Sequence, residues 1–123
     1  MATFGRFEEI QAWQKARTAT KLIYQVTDHG LWARDYGLRD QVRRASVSIM
    51  ANIAEAHGRP SNKEFANFLN MAHGSAAEVQ SHLYVAFDLN YLNQSTFNHL
   101  FELIDEISRM IMALAKHLRG STS

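Results

Sequence analysis

The chain has 123 residues, a formal net charge of +1 with its six histidines neutral, 46% hydrophobic and 20% charged residues, one proline and no cysteine. These totals describe one folded domain, 1–123, able to bury roughly 65% of the surface its unfolded chain exposes; they exclude disorder, disulfides, thiolate nucleophiles and sulfur-rich metal sites. With so little net charge, an electrostatic site has to be a local patch.

The N-terminal "MATFGRFEEIQAW" has no apolar run of signal-peptide length, and no segment approaches the roughly 20 apolar residues that span a bilayer. Together with the missing cysteines, this leads us to expect a cytoplasmic protein with no membrane partner.

In chain order, Phe7, Ile10, Trp13, Ile23 and Val26 predict a first helix over about residues 5–28, ended by "TDHG", where Gly30 can adopt a left-handed cap. A short connection, "LWARDYG", leads to a second helix over about 37–57, marked by Leu38, Val42, Ala45, Ile49, Ile53 and Ala56 and stopped by Gly58. Pro60 cannot continue it, and "SNKE" reads as a capping box: Ser61 accepts from the Glu64 amide while the Glu64 carboxylate reaches back. The third helix then covers about 61–89 on a stripe from Phe65 to Phe87. Asn93 or Ser95 caps a fourth, about 95–119, in which Phe97, Leu100, Ile104, Ile107, Ile111, Leu114 and Leu118 take heptad-like steps. Only "RGSTS" looks frayed. No segment alternates with period two, so the class is all-α. Short connections predict an antiparallel up-down-up-down four-helix bundle, with a three-helix core and a detached first helix as the weaker reading.

At 100° per residue, Gln41, Arg44, Ser48, Asn52 and Glu55 fall within an arc of about 80° beside the apolar face of the second helix. Gly74, Ser75, Glu78 and His82 make a similar arc on the third. Arg44 precedes Gly58 by as many residues as Ser75 follows Ser61, which predicts an Arg44–Glu78 ion pair. Ser48, Asn52, Ser75 and Glu55 complete a register-setting polar network, with Gly74 permitting close helix approach, because a desolvated charge costs several kcal/mol unless paired.

Catalytic chemistry has few candidates. The Glu-x-x-His steps of di-iron helices are missing, and Glu78 with His82 or His99 with Glu102 make single pairs only, so no metal or other cofactor is expected. Phosphate-binding glycine loops, nucleophile elbows and the His-Glu-x-x-His motif are missing as well. We expect no catalytic residues and no enzymatic activity.

The segments "WQKA" (13–16), "IYQVT" (23–27), "YGLRDQVRRASVSIMANIAEAHGR" (36–59), "EFANFL" (64–69), "AHGSAAEVQ" (72–80) and "LNYL" (89–92) together resemble the family of 23S rRNA intervening-sequence proteins. The likeness spans nearly the whole chain; Ala56 departs from it, standing where the family usually has glycine. The resemblance implies bacterial antiparallel four-helix bundles assembled as homopentameric rings, without enzymatic activity. The accessory variability determinant of diversity-generating retroelements is similar, and implies nucleic acid and a reverse transcriptase as partners. Leu103, Met110 and Met112, off the seam of the fourth helix, together with the apolar later turns of the second, add area that a ring would cover.

On that basis Arg34, Arg39, Arg43, Arg44, Arg59 and Lys63 are the expected RNA- or DNA-binding residues, with Arg17 and Lys21 one turn apart on the first helix. Five-fold display would multiply such contacts. Trp32 or Tyr36, if exposed, would stack on unpaired bases; the alternative is that they pack the first connection. The rival expectation is a structural adaptor that binds another protein through the apolar surface of the second and fourth helices.

Overall fold

The computed structural model describes residues 5–120. Among them are five helices and no strand: α1 (Gln11–Val26), α2 (Gly30–Arg34), α3 (Tyr36–His57), α4 (Asn62–Asp88) and α5 (Gln94–Arg119). Residues 121–123, the end of the "RGSTS" expected to fray, lie outside the described residues, as do residues 1–4.

The expected first helix, 5–28, is not continuous. Phe7–Glu9 form a single 3-10 turn, and Ile10 is extended (φ −73°, ψ 117°) before α1 begins. That break turns Ile10 fully into the core and sets Phe7 edge-on to Trp13, with ring centroids 5.1 Å apart. At the other end Gly30 does take a left-handed backbone, φ 70°, but it opens α2 instead of capping α1. The connection "LWARDYG" therefore contains a helix of its own, and Trp32 is completely buried, the packing role of the two it was given.

Side chains close the later helix starts. Asp35 Oδ1 accepts from the Leu38 amide at 3.1 Å, and Asn93 Oδ1 from the Thr96 amide at 2.8 Å. Ser61 Oγ accepts from the Glu64 amide and donates to the Glu64 carboxylate, both at 3.2 Å, so the carboxylate reaches the hydroxyl of the cap. After α4, Asn90 occupies the left-handed position (φ 63°) usually given to glycine. The Tyr91 amide then bonds Ala86 O at 2.8 Å and the Asn90 amide bonds Phe87 O at 3.0 Å, the paired bonds of a Schellman ending.

α3 packs on α4, α4 on α5, and α1 on both α3 and α5. Large aliphatic residues fill the centre: Ile49 and Ile53 from α3, Leu69 and Leu83 from α4, and Leu100, Ile104, Ile107 and Ile111 from α5 are all at most 1% exposed. α1 contributes differently, burying Ala12, Ala16 and Ala19 ahead of Ile23. Those small side chains let the α1 backbone lie close to its neighbours, and the Thr20 hydroxyl is shared between Ala16 O (2.8 Å) and Ser46 O of α3 (3.2 Å). On α5, Leu103 and Met110 are half-buried against the core and Met112 is half-buried too, so this helix offers less free apolar surface than expected. Of the exposed large apolar residues, Val47 lies on α3, where surface was expected, and Met71, Tyr84, Val85 and Leu89 lie on α4 or just beyond it.

The Tyr91 hydroxyl donates to Asp35 Oδ2 at 2.9 Å while its ring stacks on Trp32. That hydrogen bond first, then burial and the nearby negative charge, raises the phenol pKa above the ordinary tyrosine value. A raised folded-state value means this bond stabilises the fold fully below the unfolded pKa of about 10 and is lost as pH rises through the folded value. An alkaline absorbance titration is expected to show a late tyrosinate component that Tyr91→Phe removes. A variant that loses an ordinary tyrosinate component and keeps the late one would mean the bond does not form in solution.

Candidate nucleic-acid interface

The arginines expected at a nucleic-acid surface divide by what they touch. Arg43, on the second turn of α3, points at the C-terminal end of α1. Its Nε donates to Thr27 Oγ1 at 2.8 Å and its Nη2 to Tyr24 O at 3.4 Å, with Asp28 at 4.0 Å. Its guanidinium lies over the Tyr24 ring, 4.5 Å from the centroid. The last carbonyls of a helix have no partners of their own and form the negative end of its dipole, so a cation held there satisfies both.

The same device recurs twice. Arg39 Nη1 donates to Ala33 O near the end of α2 at 3.1 Å, while its Nε bonds Asp40 and its plane covers Tyr36 at 4.8 Å. Arg59 folds back on the end of α3, with Nε to Glu55 O at 3.3 Å, Nη2 to Glu55 Oε1 at 3.0 Å, and the Phe68 ring at 4.9 Å. Sequence spacing gave no sign that these three cations close helix ends; that depends on which way each long side chain turns.

Arg34, Arg44 and Lys63 are exposed and, among the described residues, form no ion pair. The six positions do not form one patch. Arg43 and Arg59 are sixteen positions apart along the chain, or about 24 Å at helical rise, which separates Arg34, Arg39, Arg43 and Arg44 from Arg59 and Lys63.

The polar arc is also divided. Ser48 Oγ and Ser75 Oγ are 2.8 Å apart across α3 and α4, and Asn52 Nδ2 donates to both Ser48 O (3.0 Å) and Ser48 Oγ (3.1 Å). Arg44 and Glu78, however, do not meet. Both are exposed, Glu78 lies 3.8 Å from His82, and Glu55 serves Arg59. The arc runs along the rim of the helix contact, so water solvates its charged members and no pairing is forced. Gly74 is exposed too, and a Cβ placed there would meet nothing within 4 Å, so it grants no close approach.

A further surface emerges on α1. Trp13, Gln14, Arg17, Thr18 and Lys21 line one depression, and Lys21, Tyr24, Gln25, Asp28 and Arg43 line the next, with Lys21 common to both. Arg17 sits over the Trp13 ring at 5.7 Å. Trp13 and Tyr24 were missed as site residues, although their spacing with Arg17 and Lys21 puts all four on one helix face. Trp32 is unavailable for stacking, whereas Tyr36 is 65% exposed. Among the described residues no helix is long and apolar enough to cross a membrane, and no three His, Cys, Asp or Glu side chains converge as a metal centre needs.

The contrast between Arg43 and Arg44 is measurable. Arg43→Ala is expected to lower unfolding free energy by about 1–3 kcal/mol, because the hydroxyl of buried Thr27 loses a charged donor. Arg44→Ala should stay within about 0.5 kcal/mol of the parent protein. Urea melts that rank the two equally would refute the assignment.

The family model described as 23S rRNA-intervening sequence protein matches residues 8–113. No match is found among curated proteins. Among solved structures, the chain is similar to a protein of unknown function from the S23 ribosomal protein family of Bacteroides thetaiotaomicron. The TM-score is 0.74 at 22% identity, covering 85% of this chain and 98% of that one, a likeness of fold. With the match running from the 3-10 turn into the later turns of α5, the chain belongs to the 23S rRNA-intervening sequence protein family.

Proposed function

We propose that this protein is a non-enzymatic, cytoplasmic, homo-oligomeric helical bundle that binds RNA or DNA as an accessory to a nucleic-acid enzyme such as a reverse transcriptase. The observation that carries this reading is the set of exposed cations that form no ion pair among the described residues: Arg34, Arg44 and Lys63, and, on a separate face, Arg17 and Lys21 of α1. At a net charge of +1 such residues act locally, and a symmetric ring would repeat each of them around its axis.

In this reading the helices alternate in direction. The pairs Asp35–Tyr91, Ser48–Ser75 and Arg59–Phe68 advance along α3 as they retreat along α4, which supports an antiparallel arrangement. Self-association is supported by exposed apolar side chains on α3 and α4, Val47, Met71 and Val85, which water penalises. The homopentamer is what the family resemblance implies. A second reading, an adaptor that binds another protein, draws on those same side chains.

The test uses protein freed of nucleic acid and sized by light scattering. A labelled hairpin RNA with stem and loop should bind saturably and weaken roughly tenfold or more between low and physiological salt. Combined charge reversal at Arg44 and Lys63 should weaken it further. A folded oligomer that does not bind at low salt overturns the nucleic-acid reading, and a monomer that captures a protein in a salt-insensitive way favours the adaptor.

A further inference from the structure

We infer that the ligand of this surface is single-stranded nucleic acid, laid along α1 with unpaired bases against Trp13, Tyr24 and Tyr36 and phosphates against Arg17 and Lys21. The inference rests on the nucleic-acid reading above and specifies its substrate class and path.

The geometry begins with α1. Trp13, Arg17, Lys21 and Tyr24 lie within an arc of about 80° and span about 16 Å of helix, on the side away from buried Ala12, Ala16, Ala19 and Ile23. Two cationic side chains thus lie between two aromatic ones along one face, and the two depressions joined at Lys21 make that face continuous toward Arg43.

Each ring is paired with a guanidinium: Trp13 with Arg17, Tyr24 with Arg43, and Tyr36 with Arg39. A cation on the ring fixes the ring's orientation and places positive charge where a phosphate would follow a stacked base. Tyr24 and Tyr36 nevertheless remain 42% and 65% exposed, more apolar ring surface than the fold uses. A duplex conceals its base faces and can use only the cations, whereas an unpaired strand can use rings and cations together.

Two carboxylates bound the path. Asp28, in the second depression, has a side chain 85% exposed beside Arg43, and Asp40 holds Arg39. A polyanion is repelled at Asp28, so this residue should weaken binding in the parent protein.

The experiment compares labelled oligouridylate, oligothymidylate and a duplex of equal length by anisotropy at one salt concentration. Either single strand should bind about tenfold or more tighter than the duplex, and the RNA and DNA arms report whether a 2′-hydroxyl is read. Tyr36→Ala, at an exposed position, should weaken single-strand binding by about tenfold and leave the duplex nearly unchanged. Lys21→Gln should weaken both and flatten the salt dependence, and Asp28→Asn should tighten both. Circular dichroism would establish that each variant is folded. Equal binding of single strand and duplex, with no effect of Tyr36→Ala, overturns the inference and leaves the nucleic-acid reading standing. Binding of neither overturns both.

Discussion

A guanidinium seated on the carbonyl end of a helix is the interaction on which the arrangement of this chain depends. Arg43 does this for α1 from α3, joining the Thr27 hydroxyl, the Tyr24 carbonyl and the Tyr24 ring in one contact. α1 needs such a tie because it brings mostly alanines to its contact, and an alanine face buries far less area than the isoleucines and leucines of α3, α4 and α5. Close approach, the shared Thr20 hydroxyl and the arginine together hold a helix that apolar burial alone would hold loosely. Arg39 and Arg59 repeat the solution at the ends of α2 and α3.

Much of the fold was legible because burial imposes a period. Ile49 and Ile53, or Ile104, Ile107 and Ile111, recur at helical steps only if one face meets a core, and Ser61 and Asn93 announce helix starts by their chemistry. Three features were not legible. A five-residue helix such as α2 is too short to establish a period, so spacing left open whether Trp32 was exposed or packed, and it fills the core. Register counting aligned Arg44 with Glu78, but it does not tell the middle of a helix contact from its rim, and on the rim water replaces the partner. Extra apolar residues on α5 suggested an outer surface there, yet Leu103 and Met110 lean inward while Met71 and Val85 of α4 stay exposed.

The candidate site was legible only as composition. Six basic residues were named, and the structure gives half of them helix-closing work while leaving Arg34, Arg44 and Lys63 in solvent. Long cationic side chains decide their role by rotamer, which a sequence does not record. Structural arginines are not lost to recognition, however. By lying flat on Tyr24 and Tyr36 they set the rings at the surface, so the contacts that attach α1 and close α2 also shape the face beside Arg17 and Lys21. Fold and proposed function share these residues.

The central claim is that this basic and aromatic face of α1 and early α3 is the contact surface. Photo-cross-linking of the parent protein to a single-stranded oligonucleotide bearing reactive bases, read by peptide mass spectrometry, tests it most directly. The account predicts adducts on Trp13, Tyr24 or Tyr36 and on the peptides that carry Arg17 and Lys21. Adducts confined to the Met71–Leu89 side of α4, or none from a protein that still binds the strand, would contradict it.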